Sequence, residues 1–118
     1  MLDLSAAIRS FGWLFTELGY EQQQAWDGGR SWILGSTYVV LAQAPSDGAH
    51  DRHTAGLSHL AFHAGTVADV HAIWTAAPSF GWKHLYADRQ PWAGDTGYYA
   101  AFVESGERFK VELVATSE

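Results

Sequence analysis

Two segments of this chain follow one plan. Leu18-Gly19-Tyr20-Glu21 and Phe80-Gly81-Trp82-Lys83 each close a helical pattern and enter an extended one. Thr37 to Ala44 (TYVVLAQA) aligns in the same way with Arg108 to Ala115 (RFKVELVA), which sets Leu41 opposite Glu112. Such an internal repeat restricts the chain to folds built from one supersecondary unit used twice. With 118 residues there is room for one hydrophobic core, so both copies must share it.

Periodicity locates the elements. From Ser5 to Leu18 the residues Ile8, Phe11, Leu14, Phe15 and Leu18 recur at helical spacing. They form one face of an amphipathic helix, with Ser5 as N-cap and Gly19 just past its end. Ser31 to Leu34 and Thr37 to Gln43 are short β-type runs joined through Gly35-Ser36, the pattern of a hairpin. Pro45 to Thr54 is polar, mixed in charge and aperiodic, and reads as a solvated linker. Beyond it Leu57 to Ala64 predicts a strand, and Thr66 caps a helix carrying Val67, Val70, Ile73, Trp74 and Ala77 as far as Pro78. Lys83 to Ala87, Tyr98 to Glu104 and Arg108 to Ala115 predict three more strands, with a long loop from Arg89 to Gly97 around Trp92. The second copy is therefore βαβββ. The first has the helix and later strands, but its opening strand would lie before Met1.

GLSHLAFH at Gly56 to His63, the helix after it and the closing FKVELVA together resemble the vicinal oxygen chelate superfamily of glyoxalases, bleomycin-resistance proteins and extradiol dioxygenases. DLSAAIRSFGWLFTELGYE and GRSWILGSTYVVLAQAP are similar to the matching parts of that family's first module, so the resemblance covers essentially the whole chain. It implies an α+β fold, one domain over residues 1–118. An incomplete first module (1–45), a linker (46–55) and a βαβββ module (56–118) would form a curved mixed sheet that cups a ligand or metal. In metal-binding members a His opens the first strand of each module, and an acidic residue on each last strand completes the site. His59 and Glu112 match those positions in the second module and are the candidate metal ligands. Leu41 takes the acidic position of the first module, and the first-module His has no counterpart.

The residues carry chemistry of their own. Alternate residues of a strand share a face, so His59, Ala61 and His63 point one way while Leu60 and Phe62 point the other. Lys110, Glu112 and Val114 likewise oppose Phe109, Val111 and Leu113. The apolar sides suit helices, so His59 and Glu112 are expected to meet in the cup. A His and a carboxylate supply two of the three ligands of a 2-His-1-carboxylate iron site. They equally make an acid/base pair in which the carboxylate orients the imidazole. A satisfied contact that orients a ligand is the commoner use, since two protein ligands rarely hold a catalytic metal. His63 would lie roughly 13 Å along the strand from His59, too far to share one ion. His50 and His53 are expected in solvent, and His71 and His84 at the surface. Trp13 and Trp74 read as helix packing, while Trp26, Trp82 and Trp92 sit in or beside loops, where large rings cover something apolar. Tyr98 and Tyr99 are adjacent, so one ring faces the cup. The candidate ligand-lining set is His59, His63, Tyr99, Leu41, Trp32 and Trp92, the last as a lid.

Seven Lys+Arg against thirteen Asp+Glu leave a net charge of -6, which repels phosphate backbones and argues against nucleic acid as a partner. The absence of Cys excludes a disulfide scaffold, a thiolate zinc site and a cysteine nucleophile. No apolar run approaches the about 18 residues of a membrane span, and no leader pattern opens the chain, so a cytoplasmic protein without a membrane partner is expected. The favoured function is capture of a small aromatic or apolar organic molecule, an antibiotic among the candidates. The alternative is a lyase, isomerase or dioxygenase that uses His59 and Glu112 with divalent Fe, Mn, Zn or Ni. The missing strand leaves an open sheet edge, which predicts a homodimer, unless the native chain starts upstream of Met1 with a further strand.

Overall fold

The computed structural model describes residues 1–95 and 97–116. Thr96 in the expected Arg89–Gly97 loop, and Ser117 and Glu118 of the second module, lie outside the described residues. Helix α1 spans Leu4–Glu17 and starts one residue earlier than its pattern implies. Asp3, not Ser5, is the N-cap, its carboxylate accepting the Ala6 N–H at 3.1 Å. At the other end Gly19 adopts φ 92°, a conformation that a side chain would disfavour. Helix α2, Val67–Ala76, is capped as expected by Thr66. The Thr66 hydroxyl accepts the Asp69 N–H at 3.1 Å, and the Asp69 carboxylate accepts the Thr66 N–H at 2.9 Å, a reciprocal capping box. That bond to the Thr66 N–H is the main reason the Asp69 carboxyl lies below its ordinary value. A 3-10 turn over Ala77–Phe80 follows.

Strand β1, Glu21–Trp26, is hidden in the residue pattern. Its sequence EQQQAW does not alternate, and all six residues are exposed. An edge strand that buries neither face has no reason to alternate; the ladder to β2, Gly29–Leu34, holds it in place through a bulge between Gln22 and Gln24. β2 pairs in turn with β3, Thr37–Ala42, giving a three-stranded sheet in the order β1-β2-β3. The remaining strands are β4 (Leu60–His63), β5 (Lys83–Leu85), β6 (Ala100–Glu104) and β7 (Lys110–Val114). They form a second sheet in the order β4-β7-β6-β5, with β4 parallel to β7 and the other pairs antiparallel. The second half is thus the expected βαβββ unit, and the first is the same unit without the strand that would flank β3.

Met1 stands at the end of that vacant position. Its amino group donates to Ala42 O at 2.8 Å, and its carbonyl accepts the Ala44 N–H at 2.7 Å. After β4 the corresponding bonds run from Ala64 N–H to Val114 O and from Thr116 N–H to Gly65 O, both 2.8 Å. Ala42 therefore superposes on Val114, which moves the sequence alignment by one residue and puts Val40, not Leu41, at the place of Glu112. Side-chain burial agrees: Leu41 and its true counterpart Leu113 are 5% and 0% exposed, whereas Val40 is 46% exposed.

The core forms around α1. Phe15 lies 5.1 Å from Trp32 of the first sheet and 6.0 Å from Phe62 of the second, centroid to centroid. One turn earlier, Phe11 meets the edge of Trp82 at 4.8 Å and that of Phe109 at 6.5 Å. Trp82 is buried and its indole N–H donates to Ser10 O at 3.0 Å, so this ring covers core and no ligand. Trp13 stacks on Phe80 at 4.5 Å. His84 is not a free surface residue: it stacks on Trp74 at 3.6 Å and bonds the Trp74 carbonyl at 2.7 Å. The linker is likewise docked. His50 stacks on Phe109 at 4.0 Å, and the Arg52 guanidinium donates to the Glu104 carboxylate at 2.6 Å and to Arg108 O at 3.1 Å.

Two outcomes follow. Phe15→Ala removes a fully buried ring touching both sheets and should cost about 3–5 kcal/mol in urea unfolding. Arg52→Ala strands a buried carboxylate and should cost about 3 kcal/mol. Arg108→Ala should cost far less, because that side chain is 65% exposed and sits 3.8 Å from Glu104.

Candidate functional site

The face of the second sheet opposite the helices carries His59, Phe102, Lys110 and Glu112. The segment between β5 and β6 folds beside this face and borders an open cavity of 490 Å³ with Tyr86, Arg89, Gly94 and Tyr98 on its walls. β7 positions Glu112 by its register with Ala61 on one side and Phe102 on the other. His59 precedes β4 by one residue and reaches the same floor. Tyr86 takes a positive φ of 56°, uncommon for a residue with a side chain, and its ring meets Phe102 edge-on at 5.4 Å. Gly94 lets the segment close, because a Cβ there would approach the Tyr98 ring to 2.9 Å.

Glu112 organises the chemistry. It is 7% exposed, and a carboxylate that deep in the protein needs partners. One oxygen accepts the Tyr98 O–H at 2.5 Å, and the other lies 3.2 Å from His59 Nε2. An ionised carboxylate only accepts, so in the neutral imidazole Nε2 carries the proton and Nδ1 accepts from the Ser58 hydroxyl at 3.3 Å. The His59 side chain is 35% exposed and presents its ring to the cavity mouth. The hydrogen bond to Glu112, reinforced by burial and by the carboxylate charge, raises the Tyr98 phenol above its ordinary value. This arrangement can orient a ligand and exchange a proton through an imidazole whose tautomer the carboxylate sets.

The cup brings together His59 and Glu112 as expected, and only these two of the sequence-derived residues. Trp32 and Leu41 point to the helix side and belong to the core. The register explains this: Trp32 pairs with Val39 and Arg30 with Leu41, so the four share the face that α1 covers. Tyr99 packs against the core with Trp92 edge-on to it at 5.7 Å, and the cup-facing member of the tyrosine pair is Tyr98. Trp92, expected as a lid over the cup, is exposed and does not line the cavity. His63 shares the His59 face but lies exposed beyond the cavity lining. Tyr86, Arg89 and Lys110 escaped the sequence reading. The alternation that singled out Glu112 also put Lys110 on its face, and that signal was available.

As a metal site the donor set falls short. His59 and Glu112 are two donors where an open catalytic site uses three. Among the described residues no group of three or more His, Cys, Asp or Glu side chains converges. Val40 stands where a second carboxylate would be needed. No step is therefore assigned to a metal held by this chain alone.

No family model matches the sequence. The Bacillus subtilis protein YqjT, itself uncharacterized, is 42% identical over 118 residues, covering 98% of this chain and 92% of its own length. The crystal structure of a glyoxalase-type protein from Bacillus halodurans superposes with a TM-score of 0.93 at 39% identity, over 98% of this chain and 89% of that one. A glyoxalase/bleomycin resistance protein from Albidiferax ferrireducens shares the fold, with a TM-score of 0.77 at 16% identity over 96% and 89% of the two chains.

The Tyr98 assignment can be checked by absorbance at alkaline pH. The difference between the protein and Tyr98→Phe should show one phenol titrating above the usual value near 10, and Glu112→Gln should bring it down. A raised pKa means that the bond contributes to stability below pH 10 and that the contribution fades as pH climbs through the shifted value.

Proposed function

Because the chain belongs to the vicinal oxygen chelate superfamily, we propose that it binds a small organic molecule in the cup of its second module. The observation that carries this reading is the buried Glu112 carboxylate, held between Tyr98 and His59 at the floor of a 490 Å³ cavity. A pocket of that size with a few fixed polar groups and aromatic walls suits a compact ligand. Tyr86 and Phe102 offer it a ring surface, and His59 offers a hydrogen bond. The expected ligand is therefore polar at one end, and less apolar than the loop tryptophans led the sequence reading to expect. Binding with orientation is the role assigned to the His59–Glu112 pair. A metal-dependent lyase, isomerase or dioxygenase needs a third donor from outside the described residues.

The open edge of β3 supports a second proposal, that two copies associate. Beside that edge runs a groove of 330 Å³ whose lining includes Phe11, Leu41, Leu57, Leu60 and Phe109. An unpaired strand next to apolar side chains favours pairing with another chain. Light scattering should give the dimer mass, and a monomer at high concentration would sink this proposal.

For the ligand, a panel of small organic compounds followed by NMR of the labelled protein should perturb the cup residues. Glu112→Gln and His59→Ala should each weaken any hit by about tenfold. Hits that survive both substitutions would sink the site. Elemental analysis of the purified protein decides the metal reading: stoichiometric Fe, Mn, Zn or Ni that disappears in His59→Ala would replace simple binding by metal chemistry.

A further inference from the structure

We infer that the molecule bound in the cup is an organic oxyanion, whose carboxylate or phosphonate-type group sits between Arg89 and Lys110. This rests on the cup being a ligand site and adds the chemical class of what enters it. The chain carries a net charge of -6, yet two of its seven cationic side chains line this one cavity. Neither has an ion-pair partner among the described residues, whereas Arg52 and Arg108 both attend Glu104. What holds the two cations is aromatic. The Lys110 ammonium lies 5.1 Å from the Tyr86 centroid and 5.2 Å from that of Phe102, and the Arg89 guanidinium lies 4.8 Å from Tyr86. Ring faces fix a cation without neutralising it.

The lone carboxylate of the cavity does not cancel them. Both Glu112 oxygens already have partners in Tyr98 and His59, so its charge is spread over those bonds. Arg89 and Lys110 thus bring two cationic side chains to a cavity with one carboxylate among its described lining residues. A concave wall of that sign in an acidic protein concentrates anions locally and repels cations. Arg89 can grip an oxyanion with paired N–H donors, and Lys110 adds a point charge. The body of the molecule then lies along Tyr86 and Phe102, and its far end, neutral and polar, meets His59. An anion at both ends would face Glu112 and be rejected.

The test uses four probes with one ring and different charge: phenylphosphonate, benzoate, benzamide and benzylamine, followed by NMR of the full chain. Phenylphosphonate and benzoate should shift the resonances of Phe102, Lys110 and Glu112, and benzylamine should not. The anions should weaken as NaCl is raised past about 0.15 M, where the Debye length falls to about 8 Å. Arg89→Ala and Lys110→Ala should each reduce anion affinity by about tenfold, with Arg89→Lys in between. Lys83→Ala, a cation outside the cavity, should leave it unchanged. Benzamide binding as well as benzoate, with no response to Arg89→Ala, would overturn the oxyanion assignment while leaving the cup as a ligand site. Probes that shift nothing in the cup would overturn both.

Discussion

Helix α1 must bury one aromatic face against two sheets at once. On the first sheet Trp32 packs against Phe15, and Leu41 lies in the same core. The rest comes from Phe62, Trp82 and Phe109 of the second module. A single helix therefore joins the two halves through rings whose centroids lie 4.8 to 6.5 Å apart. Interiors pack too densely for either half to shift without opening a void beside these rings. The docking of the linker follows from the same arrangement, since His50 stacks on Phe109 at the far side of this cluster.

With the helix side of each sheet committed to this core, function is left to the opposite faces. On the second sheet that face is covered by the segment from Tyr86 to Tyr99, and the result is a cavity. Among the described residues no segment covers the corresponding face of the first sheet. Tyr38 and Val40 stand exposed there, at 62% and 46%. The two halves thus share one ancestral-looking plan but not one chemistry, and the site is built from the second half alone. Glu112 is affordable at 7% exposure only because Tyr98 and His59 answer both of its oxygens. The covering segment therefore supplies, through Tyr98, one of the two partners on which the buried carboxylate depends.

The fold was legible where burial is one-sided. The helices, the hairpin of β2 and β3, and the strands β4 and β7 advertise themselves by period, because one of their faces meets the core, whereas β6 is buried on both faces. β1 did not, since a strand exposed on both faces leaves no pattern to read. Alternation put His59 and Glu112 on one face correctly. The repeat alignment failed for Leu41, because an offset of one residue exchanges the two sides of a strand, and for Trp32 either side was open until the pairing of β2 with β3 set it. The choice between Tyr98 and Tyr99 was open for a related reason: adjacent residues point opposite ways, and only the pairing of β6 with β7 says which way is inward. Tryptophan count was a poor guide, because a ring in a loop, such as Trp82, can turn into the core as readily as over a ligand.

What the sequence determined by itself is the repeated unit and a His and a carboxylate on one sheet face. These follow from periodicity and spacing, which are local properties. What only the tertiary structure decided is the composition of the site. Tyr98, Tyr86 and Arg89 join Glu112, His59 and Lys110 because a loop crosses a sheet, and loops carry no period from which such a crossing can be read. The charge of the cavity was decided there too: a chain acidic overall places two cations, without an ion-pair partner among the described residues, in one concave wall, and proximity in space made them a pair.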